Sequence, residues 1–199
     1  LSDLAAELKS ARAVRMDVTD PESVSNAAET VGHVDGVIYN AGAYDPVSAM
    51  DWKPEAVRKM AEVNFLGALN VLGETVPRFV QAGQGHIVLI GSLSGFAGLP
   101  GAIGYGASKA GLMHLAENLR IDLRETDIRV QRVNPGFIDT RLTRKNDFKM
   151  PQIMKPEEAA EEVMRAIRSG RFSTSFPAPF SWLFTIGQHL PIGLFHRLF

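Results

Sequence analysis

Three short apolar runs, each closing on small or polar residues, recur along this chain with helical patterns between them. Val37-Ile38-Tyr39 closes on Asn40-Ala41-Gly42, His86–Ile90 on Gly91-Ser92, and Ile128–Val133 on Asn134-Pro135-Gly136. The His86–Ile90 run is apolar at consecutive positions, so a strand built from it is buried on both faces, as at the centre of a parallel sheet. Parallel neighbours need crossovers, and the segments between the runs have the length and spacing of helices. The pattern predicts an α/β fold, a three-layer doubly wound parallel sheet with helices on both faces.

The helices can be placed by their ends. Leu1–Lys9 reads as the end of a helix, and Ala13–Asp17 as a further short strand. Thr19-Asp20-Pro21-Glu22 starts a helix to about Thr30, with proline at the first helical position. Pro54 opens a long helix to about Val80 despite Pro77, and another runs from Ile103 to Glu125. Pro156–Ser169 is a helix with acidic residues in its first turn and Gly170 after its end.

Composition removes several alternatives. At 199 residues the chain has the length of one domain, 1–199, in which 176–199 forms a hydrophobic extension. Its 21 basic and 22 acidic residues give a formal net charge of −1, which supplies no electrostatic footprint for nucleic acid. It contains no cysteine, hence no disulfide framework, thiol nucleophile or cysteine-based zinc site, and a reducing, cytoplasmic setting is expected. His33, His86, His114, His189 and His196 are scattered without metal-ligand spacing, so no metal is expected.

In open parallel sheets ligands bind beyond the carboxyl ends of the strands, where the polar and glycine-rich residues of this chain collect. Tyr105 and Lys109 stand four residues apart at the start of one helix and therefore share a face. An ammonium beside a phenol favours the phenolate, so the pair is suited to exchange a proton near neutral pH. Taken alone, that spacing is so common that a surface tyrosine and a solvated lysine would be the better reading. Ser92 tips the balance, lying 13 residues before Tyr105 and directly after a buried strand.

Asp17-Val18, Asn40-Ala41-Gly42, Val63-Asn64, Ser92, Tyr105-Gly106-Ala107-Ser108-Lys109 and Pro135-Gly136-Phe137-Ile138-Asp139-Thr140 occur in this order. In these motifs, over about residues 1–170, the sequence resembles the short-chain dehydrogenase/reductase family. The resemblance implies a Rossmann-type fold and a hydride transfer between NAD(P) and a carbonyl or secondary alcohol. Tyr105 would be the general acid or base and Lys109 its modulator and a ribose contact. Ser92 would polarise the carbonyl, and Asn64 would anchor a water in a proton relay. Asp17 and Val18 would contact the adenine, Asn40, Ala41 and Gly42 the adenosine ribose, and Pro135, Gly136, Ile138 and Thr140 the nicotinamide end. Ser94 and Phe137 are expected with Ser92 and Tyr105 around an apolar substrate. Against these roles stand local ones: Asn40 and Asn64 as backbone-bonding turn residues, Thr140 as a helix cap, and Asp17 as a strand end.

The glycine-rich pyrophosphate loop of that family has no counterpart before Ala13, so a first β-α-β unit is expected to be missing from the sequence. The residues that choose between NAD and NADP lie in that unit, and the lean to NADP is family habit. A homo-oligomer through helices 54–80 and 103–125 is likewise implied. Residues 176–195 contain no Asp, Glu, Lys or Arg, yet Pro177, Pro179, Gly187, Gln188, His189, Pro191 and Gly193 interrupt them. A lid or an oligomer contact is expected there in preference to peripheral membrane contact. Two rival readings are a non-catalytic nucleotide-binding scaffold and a sugar-nucleotide epimerase or dehydratase. The intact Asn64, Ser92, Tyr105 and Lys109 set speaks against the first, and the few residues after Thr140 against the second.

Overall fold

The computed structural model describes residues 2–8 and 10–198. After a short helix α1 (Ser2–Glu7) come α2 (Pro21–Val31), β1 (Gly36–Tyr39), α3 (Pro54–Ala61), α4 (Gly67–Ala82) and β2 (Gln84–Ile90). There follow α5 (Ile103–Asp122), β3 (Asp127–Pro135), α6 (Pro156–Ser169), β4 (Ser173–Phe176), α7 (Phe180–Thr185) and α8 (Ile192–Phe195). The four strands form one sheet in the order β1-β2-β3-β4, and each neighbouring pair is parallel.

The two-residue period of β2 divides the core. Ile87 and Leu89 point to one face, where α2, α4 and α5 bring Val24, Leu72, Phe79 and Leu112. Val88 and Ile90 point to the other, where α6 supplies Ala159 and Ala166. Both sets are buried, so β2 is the central strand that its uninterrupted apolar run implied. The helix starts follow their signals. Asp20 accepts a hydrogen bond from the Glu22 N–H at 3.0 Å in front of Pro21, and the Glu158 carboxylate reaches back to the Lys155 N–H at 3.2 Å. Gly170 closes α6 at a φ of 68°, a left-handed position that glycine occupies without strain.

Four details differ from the sequence reading. Ala13–Asp17 is not a strand: β1 ends the described sheet, and no described strand lies beside residues 13–17 to complete a ladder. The Asp17 N–H goes instead to the Ser23 hydroxyl at 2.9 Å. The helix from Pro54 is broken by a π-helical turn over Glu62–Leu66 and then runs on to Ala82, past the expected end. The α5 helix stops at Asp122, before Glu125. Finally, Ser173–Phe176 is a strand that its polar composition concealed; its pairing with Arg132–Pro135 defines it.

The described part of the C-terminal extension, 176–198, returns toward the carboxyl ends of the strands. Phe184 and Phe195 are buried with Leu93, against Phe96 and Leu99 from the loop after β2. Among the described residues no helix is long and apolar enough to cross a membrane.

Candidate active site

β2 delivers Ser92. The Gly91 N–H continues the ladder to the Val133 carbonyl at 2.8 Å. A Cβ on Gly91 would stand 2.5 Å from Asn134 Oδ1 and 2.8 Å from Met113 Cγ, so the close packing of the strand end there needs glycine. Ser92 follows in an extended conformation and caps one turn of 3₁₀ helix, its Oγ accepting the Ser94 N–H at 3.2 Å and lying 3.0 Å from Ser94 Oγ.

The first two turns of α5 deliver Tyr105 and Lys109. The Ser92 side chain faces the Tyr105 phenol, joining residues that the sequence separates by a loop. Burial pushes the phenol pKa up, and the nearby Ser92 opposes that shift without cancelling it. Lys109 Nζ donates to the Ile90 carbonyl at 2.7 Å and lies 5.9 Å from the centre of the Tyr105 ring. Burial lowers its pKa to about 8. Loss of solvent thus drives both groups toward their neutral forms, the phenol upward from 10.0 and the lysine downward from 10.5, so the two values move apart. In the protein alone, the downward pull on the phenol comes from Ser92; the sequence pointed to Lys109 for it.

Asn64 sits buried in the π-helical turn with its amide engaged. Its Oδ1 accepts the Ala43 N–H at 2.7 Å, and its Nδ2 donates to the Ala43 carbonyl and to Ser108 Oγ, both at 2.9 Å. Ser108 in turn donates to the Tyr105 carbonyl at 2.8 Å. The Asn64 side chain therefore ties the segment after Asn40-Ala41-Gly42 to the helix that carries Tyr105. The same turn is fixed from outside by the Tyr39 hydroxyl, which donates to the Val63 carbonyl. Next to it Gly67 admits the close approach of that hydroxyl and of Val18 Cγ2, which a Cβ would meet at 2.7 and 2.8 Å.

The remaining candidates distribute along the same carboxyl edge. Asn40 and Gly42 are exposed, and Ala41 packs against the core. Val18 also packs on the core, and its carbonyl accepts from Asn70 Nδ2 at 2.9 Å. The Asp17 carboxylate accepts from the Thr19 hydroxyl at 2.7 Å and the Thr19 N–H at 2.9 Å, which hold it below the usual carboxylate range. These are the contacts of a turn, not of the strand end weighed against a ligand contact.

After β3, Pro135 is buried and the Gly136 N–H donates to the Phe176 carbonyl at 2.8 Å. Ile138 forms a parallel bridge with Met154 through the Phe137 carbonyl and the Asp139 N–H, so its own N–H is turned to the opposite side. Its carbonyl accepts the Thr143 hydroxyl, and the Thr140 hydroxyl lies 3.5 Å from that of Thr143. Phe137 packs between Phe148 and Phe180, with ring centres 5.8 Å away in each case. Arg132 finds its carboxylate in Glu117 at 2.7 Å.

One element escaped the sequence reading. The Tyr44 ring stands edge-on to Tyr105, with centres 5.0 Å apart and planes at 82°. Its hydroxyl donates to Asn146 Oδ1, while Lys145 Nζ donates to the Tyr44 carbonyl at 2.8 Å and to Asp45 Oδ1 at 2.6 Å. The loop after β1 is thereby clasped to the loop after β3, about a hundred residues on. No local pattern signals a pairing at that separation. A separate, largely apolar cavity of about 500 Å³ between α2, α4 and β1 contains none of the candidate residues.

A model of the family described as short chain dehydrogenase matches residues 1–150. The chain belongs to that family. This short-chain dehydrogenase is 36% identical over 186 residues to an uncharacterized oxidoreductase of Myxococcus xanthus, covering 92% of this chain and 74% of the relative. Among solved structures it is similar to a short chain dehydrogenase from Burkholderia cenocepacia in complex with NADP, at 28% identity and a TM-score of 0.83, over 93% of this chain and 79% of the other. A short-chain dehydrogenase from Sphingobium yanoikuyae in complex with NADPH gives 26% identity and a TM-score of 0.82, over 98% and 81%. The expected Rossmann-type α/β class stands, and the enzyme is an oxidoreductase.

Proposed function

We propose that this short-chain dehydrogenase interconverts an apolar ketone or aldehyde and its alcohol, with NADP or NAD as redox partner and Tyr105 as the proton-transferring group. The observation that carries the reading is the joining of Ser92, Tyr105 and Lys109 by the end of β2 and the first turns of α5. The lean to NADP is supported by the two structural relatives solved with NADP and NADPH.

The residues present fit a dinucleotide. The Ile138 N–H is turned away from its bridge partner, and Asn40 is exposed at the strand end. Asp17, Val18, Asn40, Ala41 and Gly42 would hold the adenosine half. Lys109, Pro135, Gly136, Ile138 and Thr140 would hold the nicotinamide half. Bound there, the cofactor supplies or accepts the hydride.

For reduction, the Tyr105 phenol donates its proton to the carbonyl oxygen as negative charge develops on it. The Ser92 hydroxyl turns from the phenol to hydrogen-bond the same oxygen. Lys109, held at Ile90, places positive charge near the phenolate that remains, and in oxidation that phenolate is the base. Asn64 holds its turn in place and would anchor the water that returns the proton. Phe137 and Ser94 line the substrate side. The outward Leu66, Leu69, Val80 and Ile121 on the long helices support a homo-oligomer through them.

The test is a panel of apolar ketones and aldehydes with NADPH and with NADH. Consumption of NADPH that depends on the carbonyl, and is lost in Ser92→Ala, supports the reading. Absence of turnover with every carbonyl and both cofactors overturns it.

A further inference from the structure

The segment after β4 has two opposed faces. Ser181, Phe184, Gly187 and Phe195 are buried, and the two phenylalanines dock it onto Leu93 and its loop. Trp182, Ile186, Leu190, Ile192 and Leu194 point outward, each between 41% and 68% exposed. Five large apolar side chains within one short segment form the kind of exposed patch that marks an interaction surface. The side chains that close toward the Ser92 loop, where a lid is expected, are the buried ones, so these five are left for another surface.

Charge identifies what the patch faces. From residue 163 to residue 199 the sequence has no Asp or Glu, but has Arg168, Arg171 and Arg197 besides Arg165, which is paired with Glu162 at 2.6 Å. The neighbouring loop, joined to α7 by the Phe148–Phe137–Phe180 ring contacts and by the Phe180 N–H to Gln152 at 3.4 Å, is also basic. Between Arg141 and Lys155 it holds five cations and only Asp147 as an anion. Arg144 and Lys145 are paired with Asp139 and Asp45, whereas Arg141 and Lys149 are exposed with no carboxylate partner among the described residues.

We propose that this face docks on the surface of an anionic phospholipid bilayer. Trp182 and the exposed aliphatic side chains would enter the headgroup boundary, while Lys149, Arg141 and Arg197 meet lipid phosphates. The docking is interfacial, since α7 and α8, at 6 and 4 residues, are too short to span a bilayer. A second copy of the chain fits less well. A two-fold contact sets a patch against itself, so a face whose cations Arg141 and Lys149 have no carboxylate partner among the described residues would meet an equally basic one. Docking here places Phe180 and Phe137 at the bilayer side of the site. An apolar substrate dissolved in lipid then has a short path to Tyr105, a consequence that rests on the proposed reaction, whereas the docking does not.

The experiment is flotation of the full chain with vesicles of phosphatidylcholine alone and of phosphatidylcholine with phosphatidylglycerol. The protein is expected to float with the anionic vesicles, and to be released by raised salt. Lys149→Glu with Arg197→Glu, surface changes that leave the core intact, should weaken binding by about tenfold or more. Trp182→Ser with Ile192→Ser should weaken it comparably. Absence of binding to anionic vesicles, binding indifferent to lipid charge, or a Trp182→Ser effect confined to self-association without lipid would each overturn the proposal. None of these readouts involves turnover, so the docking and the proposed reaction stand or fall separately.

Discussion

Lys109 Nζ donates to the main-chain carbonyl of Ile90 across 2.7 Å, pinning the helix that carries Tyr105 to the strand end that carries Ser92. The bond spans 19 residues and is buried, so the charge it holds has lost most of its solvent. That loss is why the lysine titrates at about 8 in the folded protein, against 10.5 for the ordinary side chain.

The shift has a sign that a melt can read. Between pH 8 and 10.5 the unfolded chain binds the lysine proton and the folded chain does not, so stability rises with pH across that window. The gain is at most about 3 kcal/mol. Tyr39 acts in the opposite sense. Burial raises its pKa from 10.0 to about 12, so the unfolded chain ionises first and stability falls from pH 10 upward. Denaturant midpoints measured across this range should climb and then fall. Lys109→Met should flatten the climb, and a climb that persists in this variant would contradict the assignment.

Asn64 can be tested as a brace apart from any part in proton relay. Asn64→Ala leaves the Ala43 N–H without the acceptor it holds at 2.7 Å and frees Ser108, a loss of about 1–3 kcal/mol. At this chain length about 2–4 °C in Tm accompanies each kcal/mol. Asn64→Asp keeps an acceptor for the Ala43 N–H but cannot donate to the Ala43 carbonyl, and should fall between the two. Equal Tm values in the three proteins would remove the bracing role.

What the sequence revealed of this site followed from local chemistry. The two faces of β2 were legible because Ile87 to Ile90 are apolar without a break. Tyr105 and Lys109 were legible as a pair because helix geometry puts them on one side. Other features depend on partners distant in sequence. Ala13–Asp17 has a strand-like composition but no described neighbour to bond, while Ser173–Phe176 lacks that composition and is a strand through its pairing with β3. The π-helical turn around Asn64 and the edge-on Tyr44 are likewise set by packing across the site.

The clasp between Lys145 and the Tyr44–Asp45 loop predicts a split between stability and substrate handling. Both partners of the ion pair are partly exposed, so Lys145→Met should cost under about 1 kcal/mol in stability. The loop it releases lies beside Tyr105 through Tyr44, and KM should rise, by up to about fivefold, more than kcat falls. Raised salt should increase KM in the parent enzyme and have little effect in the variant. Unchanged KM in Lys145→Met would show that the clasp does not shape the site.

The role of Tyr105 is decided by hydride transfer in a single turnover, measured as loss of NADPH absorbance after rapid mixing with a carbonyl substrate. Tyr105→Phe keeps the ring that packs against Tyr44 and removes only the proton donor. The rate is expected to fall by about 10²–10⁴ while cofactor affinity stays within about twofold. A transfer rate in Tyr105→Phe equal to that of the parent enzyme would contradict the mechanism.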